Sequence, residues 1–182
     1  MSEREEVGVA RIEGVNPEQA EKRIRAVLEA QAKKWGGPLL NHLVYARRPS
    51  IFQGARGMWG GLDASGLIGP ALTALVNRRV AYLNGCELGV SEEKILALNE
   101  YAESLLYDGK ERAALEYADA ITLSNRDVDD ELFARVQGFF EEEALVELTA
   151  IIAWENSSSK FNRALRVPSQ GLWERARSRE TC

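Results

Sequence analysis

Two cysteines, one histidine and two glutamates set in an apolar run are the residues of this 182-residue chain with chemistry to offer. Cys86 comes directly after Pro70 to Gly85, which reads as an amphipathic helix closing at Asn84-Gly85, and a further helix is expected to open at Ser91. A thiolate at Cys86 would attack an electrophilic oxygen and become a sulfenic acid. The partial negative charge of a helix C-terminus disfavours the thiolate, and Arg78 or Arg79 would offset it. The competing reading of Cys86 is a small buried apolar residue. Cys182 reads as a terminal thiol, able to resolve an oxidised Cys86 only if the tail folds back.

His42 lies among Leu39, Leu40, Leu43 and Val44, so it reads first as a satisfied core or edge histidine and second as a catalytic base. Glu147 and Glu155 fall on one face of the last helix. Paired carboxylates can do acid–base work, but ion pairs with Arg78, Arg79 or Arg163 are the simpler expectation. Trp59, Trp154 and Phe161 are expected in the core.

Composition excludes several classes. A formal net charge of −5 and a pI near 5.1 leave no basic stripe for nucleic acid or an anionic membrane surface. No apolar run approaches the ~20 residues of a membrane span, and Met1 to Glu6 lacks the apolar segment of a signal peptide, so a cytoplasmic protein is expected. Two cysteines are too few for a disulfide scaffold, and with one histidine no zinc-type ligand set can be assembled. Neither a metal nor a cofactor is expected.

The elements that must position these residues are all helical. Residues 1–15 form a charged lead-in, with Val7, Val9 and Ile12 as a short extended strip. Asn16-Pro17 caps a helix that Gly36-Gly37 stops. A short helix over Leu39 to Arg48 ends before Pro49, and Ser50 caps the next, in which Gly57, Gly60 and Gly61 suggest close backbone approach or a bend. Asp63 to Gly69 reads as turn. Beyond the Pro70 helix, Asp108 with Glu111 makes a capping box, and Asp129 or Asp130 opens a helix. Glu141 to Leu165 is apolar nearly all round over Ala144 to Trp154, as a central helix would be. No period-2 segment of useful length occurs. The fold class is therefore all-α, with a helical domain over 16–168 and a charged tail over 169–182.

The order of motifs resembles the carboxymuconolactone decarboxylase superfamily, also called alkylhydroperoxidase D-like (AhpD-like). The matching residues are Arg47-Arg48-Pro49-Ser50-Ile51-Phe52, then Met58-Trp59, then Leu75 to Cys86, Gly89 to Ile95, Leu115 to Ala120, and the last helix from Leu145 to Leu165. The resemblance spans roughly Pro38 to Pro168. It implies an AhpD-like helical domain and a thiol-dependent hydroperoxide reductase of peroxiredoxin type, with an antioxidant role. It also implies a homo-oligomer, trimer or hexamer, with a small-molecule hydroperoxide as substrate and a thiol as reductant.

Redox members of that family carry Cys-x-x-Cys, a histidine one turn further on, and often a glutamate about three turns upstream. Only Cys86 maps onto this pattern. Gly89 stands where the second cysteine belongs, Ala74 where the glutamate belongs, and no histidine follows Cys86. A segment of about a dozen residues, on the order of three helical turns, is missing after Glu87 relative to the family. The catalytic candidate implied by the resemblance is thus Cys86 alone. Two alternatives stand beside the peroxidase: a lactone decarboxylase using His42, Glu147 and the arginines, and a catalytically silent helical oligomer.

Overall fold

The structure is a computed structural model that describes residues 10–85 and 93–170. Cys86, Cys182, Val7, Val9, the Ser91 cap and the junction after Glu87 lie outside the described residues. All regular structure among the described residues is helical. The helices are α1 (Lys22–Trp35), α2 (Leu40–Tyr45), α3 (Pro49–Ser65), α4 (Pro70–Leu83), α5 (Glu93–Leu96), α6 (Gly109–Thr122), α7 (Asp130–Gln137) and α8 (Glu142–Leu165), with 3₁₀ turns at Pro17–Gln19 and Leu98–Glu100.

Local chemistry accounts for most boundaries. Pro49 and Pro70 each occupy the first residue of their helix, where a missing N–H costs nothing. Gly36 ends α1 in the left-handed conformation, φ 80°, and donates its N–H to Ala32 O. Asp108 accepts from the Glu111 N–H at 2.8 Å while the Glu111 carboxylate accepts from the Asp108 N–H at 3.0 Å, completing the capping box of α6. Asp129 caps α7 through the Leu132 N–H.

Three local expectations are corrected. Asn16-Pro17 opens a 3₁₀ turn, and α1 begins later, at Lys22, with no side-chain cap. Pro49 rather than Ser50 starts α3, which runs through the expected turn as far as Ser65. A Cβ placed on Gly57, Gly60 or Gly61 would meet nothing within 4 Å among the described residues, so of the two readings of these glycines, close backbone approach is set aside there.

The chain divides into two compact units. One comprises Met1–Gly57 with Phe161–Cys182. In it, α1 buries Ile24 and Leu28, and Tyr45 stacks on Phe161 at 4.0 Å between ring centroids. Backbone bonds from Arg11 N to Leu165 O and from Val15 N to Leu43 O tie down the lead-in, and Gln170 ties the other end by accepting from Leu40 N and donating to Pro38 O.

The other unit, Met58–Lys160, holds the larger core. Val76 and Val80 of α4, Ala114, Leu115 and Ala118 of α6, Val136 of α7, and Leu148 and Ile152 of α8 are fully buried there. Each large aliphatic contributes about 1.5–3 kcal/mol on burial, and the alanines of α6 let α4 pack closely against it. On α8, Leu145, Leu148, Ile151 and Ile152 face inward while Val146 is 70 % exposed, so this helix is less apolar all round than its composition implies.

Candidate functional site

α4 and α8 are joined by a chain of buried polar side chains. Asn84, the C-cap of α4, donates from Nδ2 to Asn156 Oδ1 at 2.9 Å; Asn156 Nδ2 in turn donates to Thr122 Oγ1 of α6 at 2.9 Å and to Ile152 O. Gly85 follows at φ 64°, a left-handed conformation that suits glycine, and the next residue in sequence is Cys86. Buried amides of this kind are costly unless paired, so the end of α4 is held where the three helices meet.

Glu155 precedes Asn156 on α8. Its carboxylate accepts from Ser159 Oγ at 2.6 Å, an i, i+4 contact along the helix, and Ser159 is fully buried. Burial pushes the carboxyl up to about 7, against the opposing pull of the Ser159 hydrogen bond and the Arg78 charge from α4. On the other side of Glu155, Trp154 meets Trp59 of α3 edge to face at 5.2 Å, and its Nε1 is buried with no hydrogen-bond partner among the described residues.

Glu147 behaves oppositely. Burial would raise its carboxyl, but hydrogen bonds from Ser65 and from the Ile68 and Leu67 backbone N–H groups outweigh this and hold it below the usual carboxylate range. It therefore ties the α3–α4 connection to α8 through neutral donors, not through an arginine. Eight residues at 1.5 Å each separate the two glutamates by about 12 Å along the helix, too far to share a proton.

Arg79 has a different partner from the one expected. Its Nε and NH2 donate to the two oxygens of Asp119 on α6 at 2.6 and 2.7 Å, and Tyr101 donates to the same carboxylate at 3.0 Å. His42 is buried, with Nδ1 2.5 Å from Gln31 Nε2 and its ring edge to face with Phe52. Desolvation first, then the Arg56 charge, lower it to about 4, so at neutral pH it is an uncharged core histidine. The structure thus brings together Arg78, Glu155 and the end of α4, and leaves His42 and Glu147 in separate structural roles. Asn84, Asn156, Thr122 and Ser159 escape sequence reasoning. For Asn156 and Ser159 the one signal is the polar run Asn156-Ser157-Ser158-Ser159, one residue beyond the apolar run that ends at Trp154.

Among the described residues no group of three or more His, Cys, Asp or Glu side chains could hold a metal ion, and no helix is long and apolar enough to cross a membrane.

This arrangement of helices defines an AhpD-like fold. Similar solved structures include the debrominase Bmp8 (TM-score 0.75, 22 % identity, covering 94 % of this chain and 95 % of Bmp8), for which a cysteine-to-alanine variant is known in complex with 2,3,4-tribromopyrrole. They also include the AhpD core of a peroxidase-related protein from Ralstonia eutropha JMP134 (TM-score 0.76, 16 % identity, 91 % and 95 % covered). In sequence, the chain is 34 % identical over 104 residues to the uncharacterized protein YdfG of Bacillus subtilis (50 % of this chain, 71 % of YdfG), and it belongs to that protein's family. It is 38 % identical over 115 residues to the uncharacterized protein YnjA of Escherichia coli K12. That match takes in 57 % of this chain and 63 % of YnjA, less than two thirds of the relative's length. No family model matches the chain.

Proposed function

We propose that this protein is a thiol-dependent hydroperoxide reductase of the AhpD-like kind, with Cys86 as its peroxide-reactive thiol and an external thiol as reductant. The observation that carries the reading is the anchored end of α4: the Asn84–Asn156–Thr122 chain holds the helix terminus that leads into Cys86. The similarity to a peroxidase-related AhpD core supports it. In the reaction the thiolate attacks the terminal peroxide oxygen, an S–O bond forms as the O–O bond breaks, and the products are Cys86 sulfenic acid and an alcohol. With no second motif cysteine, an external thiol condenses with the sulfenic acid, releasing water, and a second external thiol reduces the mixed disulfide.

The test is dimedone trapping of sulfenic acid after treatment with cumene hydroperoxide, with the adduct located by peptide mass. Stoichiometric labelling at Cys86, lost in Cys86→Ala and kept in Cys182→Ala, is expected. Absence of peroxide-dependent labelling refutes the reading. Offering 2,3,4-tribromopyrrole in the same assay separates it from chemistry like that of Bmp8: bromide release faster than peroxide consumption would replace the peroxidase assignment. We also propose a homo-oligomer, which the exposed Phe133, Phe139 and Val146 support. A monomer by sedimentation at micromolar concentration refutes it.

A further inference from the structure

α8 turns one face away from its own chain. Glu143, Val146, Ala153, Ser157 and Lys160 are exposed and Ala150 is half-buried, at alternating steps of three and four residues. At 3.6 residues per turn these steps keep the side chains within an arc of about 100°. The opposite face carries the buried Leu145, Leu148, Ile151 and Ile152.

This face differs from a helix surface made for water. α1 shows the ordinary kind, with Arg23, Glu29 and Lys33 spread along its exposed side. On α8 the positions Val146, Ala150, Ala153 and Ser157 hold no charge and no long side chain over about 17 Å, and Val146 is 70 % exposed. The charges stand at the ends instead, Glu143 towards the N-terminus and Lys160 towards the C-terminus. Neither makes an ion pair within the chain among the described residues.

The spacing is also self-complementary. Glu143 and Lys160, Val146 and Ser157, and Ala150 and Ala153 lie in pairs equally far on either side of the Ile151–Ile152 peptide. A twofold axis through that point, perpendicular to α8, lays a second α8 antiparallel on the first and sets the members of each pair opposite one another. We propose that this face joins two copies of the chain as an antiparallel α8 pair, an inference that rests on the homo-oligomer reading and names its interface. Glu143 of each copy meets Lys160 of the other at the two ends. Val146 lies over Ser157, and Ala150 over Ala153 at the centre, where small side chains let the helix axes approach to about 8 Å. A parallel in-register pair would set Glu143 against Glu143 and Lys160 against Lys160, so charge selects the antiparallel one. Because a twofold contact uses the same patch on both subunits, the protein is a dimer or an assembly of dimers such as a hexamer, and not a cyclic trimer.

The experiment is zero-length carbodiimide cross-linking of the full wild-type chain, with sedimentation velocity at the same micromolar concentration. Within one chain Glu143 and Lys160 are separated by about 26 Å along α8, so a direct amide between them forms only between copies. A Glu143–Lys160 cross-linked peptide, located by mass, is expected in an even-numbered assembly. Glu143→Lys and Lys160→Glu should each weaken association at least ~10-fold, because each sets like charges opposite one another at both ends, and the double variant should restore it. Circular dichroism confirms the helical fold of the variants, and should one fail to fold, the wild-type cross-link decides. An assembled wild type that lacks the Glu143–Lys160 peptide, charge reversals without effect, or a cyclic trimer overturns the inference while the homo-oligomer reading stands. A wild-type monomer overturns both, and sulfenic-acid trapping at Cys86 tests the peroxidase reading independently of either.

Discussion

Removing the Glu147 carboxylate is expected to loosen the α3–α4 connection by a calculable amount. In Glu147→Ala three donors lose their acceptor: the Ser65 hydroxyl, the Leu67 N–H at 2.9 Å and the Ile68 N–H at 3.0 Å. Ile68 is only 6 % exposed, so its N–H is left buried and unpaired, at about 1–3 kcal/mol. Leu67 is 55 % exposed and Ser65 lies at the surface, so water takes over those two donors and each forfeits about 0.5–1 kcal/mol. The total is about 2–5 kcal/mol. Glu147→Gln keeps one carbonyl oxygen for Ile68 but sets an NH₂ against the Leu67 N–H, so its loss is intermediate.

The assay is urea unfolding at pH 7, comparing midpoints at constant m. The carboxyl is held below its ordinary 4.5, so its contribution is complete above pH 4.5 and is lost as pH falls through the lowered native value. The gap between the wild type and Glu147→Gln should therefore narrow below pH 4.5. A Glu147→Ala loss under about 1 kcal/mol, or a gap to Glu147→Gln that does not change with acid, refutes the account of how α8 holds this connection.

Other perturbations have equally definite outcomes. Asp119→Ala strands the Arg79 guanidinium, whose side chain is 11 % exposed, and should cost about 3–5 kcal/mol by chemical denaturation, with Tyr101 losing its acceptor as well. Glu155→Gln should stabilise the fold above pH 7: a carboxyl raised from 4.5 to about 7 costs stability progressively across that interval, so the variant gains on the order of 1–3 kcal/mol at pH 8 and nothing at pH 4, read from unfolding midpoints at the two pH values. Asp108→Ala removes one half of the α6 capping box and should cost about 0.5–2 kcal/mol in the same assay.

Helix existence and most boundaries were legible in the sequence because their causes are local. Asp108 with Glu111, Asp129 before Leu132, Pro70 and Gly36 act through groups within four residues of themselves. The misread boundaries were those where the local signal was ambiguous. Asn16-Pro17 suits a 3₁₀ turn as well as an α-helix, and α3 carries on through Asp63 to Ser65, the start of the stretch that reads as turn.

The candidate site divides along the same line. An all-helical chain, one cysteine just after an Asn-Gly helix end and two acids on an apolar helix are readable from residue order, because periodicity, caps and residue identity are properties of neighbouring positions. What each acid does depends on the groups that folding brings to it. Glu147 meets three donors from a segment some 80 residues away, which favour its charged form, whereas Glu155 is desolvated, with the Ser159 hydroxyl and the Arg78 guanidinium as its partners among the described residues, which leaves it at about 7. The two carboxyls have the same intrinsic chemistry. Their difference comes from through-space fields and desolvation set by residues remote in the chain, which no pattern within one helix encodes.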